Sequence, residues 1–175
     1  MASYVEIDIH LISKRVGALL MERGLIVGTA ESCTGGWVAQ AITAVPGSSA
    51  WFHSGFVTYS NQSKIDQLGV DSDSVDQFGA VSEIVVESMV NGVLAKTTSD
   101  CAIATSGVAG PGGGTIDKPV GTVWISVGDA FKGLTTKKFL FTGGREEVRL
   151  RSVAESLRLL EAFLTHDKPQ SSNLE

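Results

Sequence analysis

Ser32 stands in Glu31-Ser32-Cys33-Thr34-Gly35-Gly36, a run of small residues between a short apolar segment and an amphipathic one. A hydroxyl on such a strand-to-helix turn can be approached closely by substrate and by main-chain N–H groups. It can therefore acylate while a helix N-terminus stabilises the developing negative charge. The same residues also suit a purely structural turn, with Ser32 as a cap and the glycines supplying backbone freedom. Phosphate cradling is a third use, although the lysine-bearing nucleotide P-loop signature is absent.

Lys64 offers a base. Ser60 is placed to cap a helix over residues 61–68, which sets Lys64 about one turn inside it, near the positive end of the helix dipole. That position disfavours the ammonium, burial would disfavour it further, and a general base needs the neutral amine. The plainer alternative is an exposed lysine that solubilises its helix. Asn61-Gln62-Ser63-Lys64 is not a Ser-x-x-Lys motif, so a pairing with Ser32 must be made by the fold. Tyr59 precedes this helix; its hydroxyl can relay a proton or orient Lys64, or its ring can simply pack beneath the helix.

The glycine-dense stretch 107–114, which includes Gly112, can present amide donors to a carbonyl oxygen or a phosphate, with the hydroxyls of Thr105 and Ser106 just before it. It also suits a connection with no direct role. Arg145, after Gly143-Gly144, can meet a phosphate through its planar fork or pair with an acid such as Glu146. Cys33 would react only as a thiolate and reads more simply as a small inward residue. Of the histidines, His10 falls on a helix surface and His166 in the tail, so a serine-histidine-carboxylate site would have to use His53. No close cluster of histidine, cysteine and carboxylate residues suggests a metal.

The elements that must position these groups are legible from periodicity. Ile9, Ile12, Val16, Leu19 and Leu20 recur at helical spacing before Gly24, and residues 25–30 follow as a short buried strand. The small-residue turn then leads into a helix reaching about residue 44, stopped by residues 45–49. Residues 51–59 form a strand whose alternation puts Trp51, His53, Val57 and Tyr59 on one side and Phe52, Phe56 and Thr58 on the other. Ser82 can cap a helix to about residue 95, in which Val85, Met89 and Val93 share a face. Residues 100–105 make the next strand, residues 120–127 and 134–141 an antiparallel pair, and residues 145–164 a last helix. This order gives an α/β fold, a three-layer α/β/α sandwich with a mixed central sheet.

With 175 residues, 43% of them hydrophobic, the chain suits one domain over residues 1–165 and a polar tail over 166–175. Fourteen basic and 19 acidic residues give a net charge of −5, which argues against a nucleic-acid partner. No stretch approaches the roughly 20 apolar residues that span a bilayer, and the N-terminus has no basic leader followed by an apolar core. Two distant cysteines fit a reducing compartment.

Read together, AESCTGGWVA, SSAWFHSGFVTYSNQSK, GAVSE, SGVAGPGGG and KPVGTVW resemble the C-terminal domain family of the competence-damage-inducible protein CinA, over roughly residues 8–164. Active members are nicotinamide-nucleotide amidohydrolases. The resemblance implies hydrolysis of the carboxamide of nicotinamide mononucleotide to nicotinate mononucleotide and ammonia, in cytoplasmic pyridine-nucleotide recycling. It implies Ser32 as nucleophile, Lys64 as base and Tyr59 as the associated tyrosine. Substrate contacts are expected at Cys33, Thr34, Gly35, Thr105, Ser106, Gly107, Gly112 and Arg145, and no cofactor or catalytic metal is implied. Backbone amides near Cys33 and Thr34 are the expected oxyanion donors. A homodimer is compatible with the reading. Gly144 departs from the family, whose members commonly carry Gly-Asp-Arg where this chain has Gly143-Gly144-Arg145. The alternative function is an inactive paralogue that binds or senses pyridine nucleotides.

Overall fold

The computed structural model describes residues 8–166. Helix α1, Ile9–Arg23, starts where the Asp8 side chain accepts from the Leu11 N–H and stops at Gly24, whose φ of 63° lies in the left-handed region. It leads into β1, Val27–Glu31, every residue of which is buried. Helix α2 is Trp37–Thr43, and a single 3-10 turn, Ser48–Ala50, precedes strand β2, Phe52–Val57. Three helices follow, α3 at Asn61–Leu68, α4 at Ser72–Phe78 and α5 at Glu83–Lys96. Strands β3, Cys101–Gly107, β4, Thr122–Asp129, and β5, Gly133–Leu140, precede the long helix α6, Arg145–Thr165.

The strands lie in the order β2-β1-β3-β4-β5. β1 pairs in parallel with β2 and β3, whereas β3, β4 and β5 are antiparallel. The parallel half needs crossovers, which α2 and α3 to α5 supply; the antiparallel half needs only short connections. Helices α1, α2 and α6 cover one face and α3, α4 and α5 the other. The sandwich with a mixed sheet expected from the sequence is thus the observed fold.

Each face has its own core. On the first, Ile12, Val16 and Leu20 of α1 meet Val153, Leu157 and Leu160 of α6 above Ile103, Ile125 and Val127 of the sheet. On the second, α5 sets Val86, Met89, Val90 and Val93 against Ala30, Ala102 and Ala104. Burial of one such aliphatic side chain contributes about 1.5–3 kcal/mol, so these two layers fix the sheet on which the site is built.

One expectation changes, and one element was not foreseen. Trp51 is only 2% exposed, unlike His53, Val57 and Tyr59, because it sits before β2 begins and lies against α1: a Cβ at Gly17 would come within 2.6 Å of its indole. Helix α4 has no strong periodic signal, since Val75 is its one buried residue; Asp71 starts it by accepting from the Ser74 N–H. Of the polar tail only His166 falls among the described residues. No helix among those residues is long and apolar enough to cross a membrane.

Candidate active site

The ends of three parallel strands converge on one cleft of about 210 Å³. β1 delivers Ser32 in the residue after its last, β2 leads through Thr58 and Tyr59 into α3, and β3 ends at Ser106 and Gly107. Ligand sites of open α/β sheets form beyond such carboxyl ends, where the connections part to opposite faces. Here β1 has β2 on one side and β3 on the other.

Ser60 caps α3 as expected, its Oγ accepting from the Ser63 N–H at 3.1 Å. That start directs Lys64 inward, where the residue is 1% exposed. Its Nζ lies 3.1 Å from Ser32 Oγ, 2.8 Å from the Thr58 carbonyl oxygen and 3.3 Å from that of Tyr59. Desolvation lowers the Lys64 pKa to about 8. Near neutral pH, an appreciable fraction of this amine is therefore unprotonated, whereas a lysine in water is almost wholly charged. A serine hydroxyl and an accessible free base at hydrogen-bond distance are the minimum apparatus for nucleophilic acyl transfer.

Tyr59 reaches this pair through its main-chain carbonyl. Its ring is turned outward, and its hydroxyl accepts from an Arg145 NH2 at 2.9 Å while Arg145 NH1 donates to the Gly110 carbonyl oxygen, also at 2.9 Å. Arg145 thus joins the start of α6 to the end of β2 and to the glycine-rich loop, at the wall of the cleft. Both of these acceptors are uncharged, and among the described residues no ion pair joins Arg145 to Glu146.

Cys33 lines the cleft, but burial pushes its thiol up to about 12, so it remains protonated where Lys64 can act. His53 is exposed and bonded to Ser54, and no histidine lines the cleft among the described residues. The serine-histidine alternative consequently has no support from the geometry. Groups of histidine, cysteine and carboxylate able to hold a metal are absent among the described residues.

The cleft is lined by Ser106, Gly107 and Arg145 together with Ser32, Cys33, Tyr59 and Lys64. Thr34, Gly35, Thr105 and Gly112 do not line it. Thr34 and Thr105 are fully buried behind the turn and bond to each other through their hydroxyls at 2.8 Å, while Gly112 is exposed on its loop. Asn61, Ala80, Val81 and Ala109 complete the wall. Ala80 is held there by Ser106, whose Oγ donates to its carbonyl at 2.7 Å.

Helix α2 does not begin at Ser32. Four residues intervene before Trp37, with Gly35 and Gly36 at φ values of 63° and 92° that a side chain would strain. The opening N–H groups of the helix are already occupied: Glu31 Oε2 accepts from Gly36 at 3.0 Å and Val38 at 2.9 Å, and Oε1 from Ala39 at 2.8 Å. The expected helix N-terminus is therefore closed to substrate. Glu31 went unremarked in the sequence because a buried carboxylate is legible only through its partners. Arg149, which donates from Nε to the Cys33 carbonyl and from NH2 to the Thr34 carbonyl, was missed too. Its spacing of four from Arg145, which puts both on one side of α6, was the available signal.

The model of the CinA C-terminal domain matches residues 10–164. This chain belongs to the CinA C-terminal domain family. Within that family it is 49% identical over 153 residues to the nicotinamide-nucleotide amidohydrolase PncC of Escherichia coli K12, covering 87% of this chain and 93% of that protein. It is 50% identical over 149 residues to the PncC of Pseudomonas putida, covering 85% and 92%. Among solved structures, a CinA superfamily protein from Klebsiella pneumoniae 700603 superposes with a TM-score of 0.88 at 37% identity, covering 91% of this chain and 99% of that one. The CinA fold is thus shared over nearly the whole described chain.

Proposed function

We propose that this chain is a nicotinamide-nucleotide amidohydrolase that converts nicotinamide mononucleotide to nicotinate mononucleotide and ammonia through a serine-bound acyl intermediate. The carrying observation is the buried Lys64 amine 3.1 Å from Ser32 Oγ. It occurs in a chain 49% identical to a protein named for that activity.

Unprotonated Lys64 has two N–H bonds and a lone pair. The carbonyls of Thr58 and Tyr59 take the two hydrogens, which leaves the lone pair for the Ser32 hydroxyl. As Lys64 accepts that proton, Ser32 Oγ attacks the carboxamide carbon and its oxygen becomes an oxyanion. Collapse breaks the C–N bond, Lys64 returns the proton to the departing nitrogen, and ammonia leaves a nicotinoyl ester on Ser32. Water then adds to the ester, losing a proton to Lys64, and release of the acid restores the Ser32 hydroxyl. Arg145 retains guanidinium N–H groups beyond those given to Tyr59 and Gly110, and these are offered to the substrate phosphate. Reduced Cys33 and Cys101 accord with work in the cytoplasm.

The test is ammonia release from nicotinamide mononucleotide, nicotinamide riboside and free nicotinamide, with the unaltered protein and Ser32→Ala. Release that requires both the phosphate and Ser32 is expected. Mononucleotide binding without release would instead make the chain a ligand-binding paralogue, with Gly144→Asp the first reversal to make.

A further inference from the structure

Strand β3 has a neighbour on each side, but past Thr105 only one of them continues. Ser32 gives its N–H to the Thr105 carbonyl at 3.0 Å, and there β1 leaves the sheet: the Glu31 carbonyl accepts from Thr58 and the Ser32 carbonyl from Gly35. On the other side β4 runs on. Val108 N–H donates to the Thr122 carbonyl and the Val108 carbonyl accepts from Gly121, both at 2.8 Å. Residues of an antiparallel ladder alternate in bonding direction. Val108 therefore bonds toward β4, as does Ser106 opposite Trp124, whereas Gly107 opposite Val123 does not. The Gly107 N–H is turned to the side that β1 has vacated, and no acceptor meets it among the described residues.

That side is the cleft, which Gly107 lines together with Ser32 and Ser106. Glu31 pairs with Thr105, so Ser32 comes beside Ser106, about 4.8 Å away across the sheet, and the Gly107 N–H follows one residue on. The donor is held firmly. A Cβ at Gly107 would fall 2.8 Å from the Thr122 carbonyl oxygen and 2.6 Å from the Val123 side chain, so the glycine lets β3 and β4 close on each other. The turn after Ser32, where the sequence placed such donors, offers none. The Cys33 N–H faces its own thiol, Thr34 is fully buried outside the cleft, and the Gly35 and Gly36 N–H groups are bonded to Ser32 and Glu31.

We infer that the Gly107 N–H is an oxyanion donor of the amidohydrolase reaction, receiving the carboxamide oxygen as Ser32 Oγ adds to the adjoining carbon. The inference rests on the proposed function and moves its electrostatic site from the turn before α2 to the end of β3. An N–H fixed by the ladder on either side of it needs no reorganisation when charge develops. Because the oxyanion exists only in the transition state and the tetrahedral intermediate, the bond should act on kcat and not on ground-state binding.

Replacing Gly107 by glycolic acid turns the Ser106–Gly107 amide into an ester, which removes this N–H and adds no Cβ. The ester protein should lose about 10²–10³-fold in kcat with KM within threefold. A second readout leaves the chain unaltered and uses the mononucleotide analogue bearing an aldehyde in place of the carboxamide. Ser32 Oγ adds to its carbon, the Ser32 proton passes to Lys64, and the C=O π pair becomes the oxyanion. Protein labelled at its serine carbonyl carbons and glycine nitrogens shows two Ser-Gly amides by NMR, those of Gly55 and Gly107, told apart by the following Phe56 or Val108. The Gly107 proton should move downfield as the adduct forms, while the Gly55 proton stays, and Ser32→Ala should abolish the movement. An unmoved Gly107 proton in the saturated adduct, a loss confined to KM, or a loss that merely follows the fraction of ester protein unfolded would overturn the role of Gly107 and leave the amidohydrolase reading standing. Absence of ammonia release by the unaltered protein would overturn both.

Discussion

Lys64 and Ser32, thirty-two positions apart in the chain, meet at 3.1 Å because a parallel pair of strands ends side by side: Glu31, the last residue of β1, pairs with Val57, the last of β2. The α3 helix then begins four residues beyond Val57, after the Ser60 cap, and carries Lys64 back under the turn. The amine is held against two carbonyls and away from water, so its protonation state sets the pH range of the chemistry.

Turnover should follow the unprotonated fraction of Lys64. With a pKa of about 8, kcat/KM should rise nearly tenfold per pH unit from the acid side and level off at higher pH. Roughly one hundredth of the plateau value is expected at pH 6. Lys64→Arg keeps a charge that is never surrendered and should lose about 10²–10⁴-fold. A flat profile between pH 6 and 8, measured by ammonia release, would remove Lys64 as the base.

The same depressed pKa makes a statement about stability. Between about 8 and the ordinary lysine value of 10.5, the unfolded chain binds a proton that the folded chain does not. Stability attributable to this site therefore rises with pH across that window, and below it the folded protein bears the full penalty of a buried ammonium. Lys64→Met, which carries no titrating group, should consequently compare best with the unaltered protein near pH 7 and lose ground as pH approaches 10.5. Urea midpoints of both proteins at three pH values would show it; a constant difference would contradict the linkage.

Cys33 adjoins the nucleophile and is a natural suspect for it. Burial raises both it and Cys101 to about 12, which leaves almost no thiolate near neutrality. Native protein incubated with iodoacetamide at pH 7.5 should stay unalkylated and retain its turnover, while the same treatment in urea should modify both thiols. Rapid native labelling of Cys33 with parallel loss of activity would shift the chemistry to sulfur.

How much of this was readable beforehand depended on how local each cause was. The Ser60 cap is settled within one turn of helix, and the glycines before α2 by the conformations they alone accept, so residues 60 and 35–36 carried their own message, whereas the cap placed Lys64 on α3 without deciding whether it faced inward. The antiparallel pair β4 and β5 was equally plain, because alternating segments flank a short glycine-bounded connection. What could not be read was whatever depends on a remote partner. Arg149 acts on residues 115 and 116 positions away, the Tyr59 hydroxyl turns to Arg145 rather than Lys64, and Trp51 is buried by a helix that precedes it. Ser32 was legible as a turn residue leading into α2, but the closing of that helix N-terminus was not, because the carboxylate that anchors α2 lies before the turn and not within it.

That carboxylate supports the last prediction. Glu31 is 1% exposed, and its two oxygens accept three main-chain N–H groups from Gly36, Val38 and Ala39. Hydrogen bonds to a charged acceptor stabilise a fold by roughly 1.5–3 kcal/mol each, and a donor left buried without one is penalised. Glu31→Gln keeps the shape but replaces one oxygen by an NH2 group that faces N–H donors, so at least one bond becomes a repulsion. The variant should be destabilised by about 2–4 kcal/mol, a fall in Tm of roughly 5–12 °C for a chain of this size. Glu31→Asp keeps the charge but is one methylene short, and should fall between the two. Because Ser32 is the next residue, kcat should decline in both variants even at temperatures where each is fully folded. An unchanged Tm for Glu31→Gln, read by thermal unfolding at pH 7, would mean that the glycines alone hold the turn and that the buried carboxylate does not anchor α2.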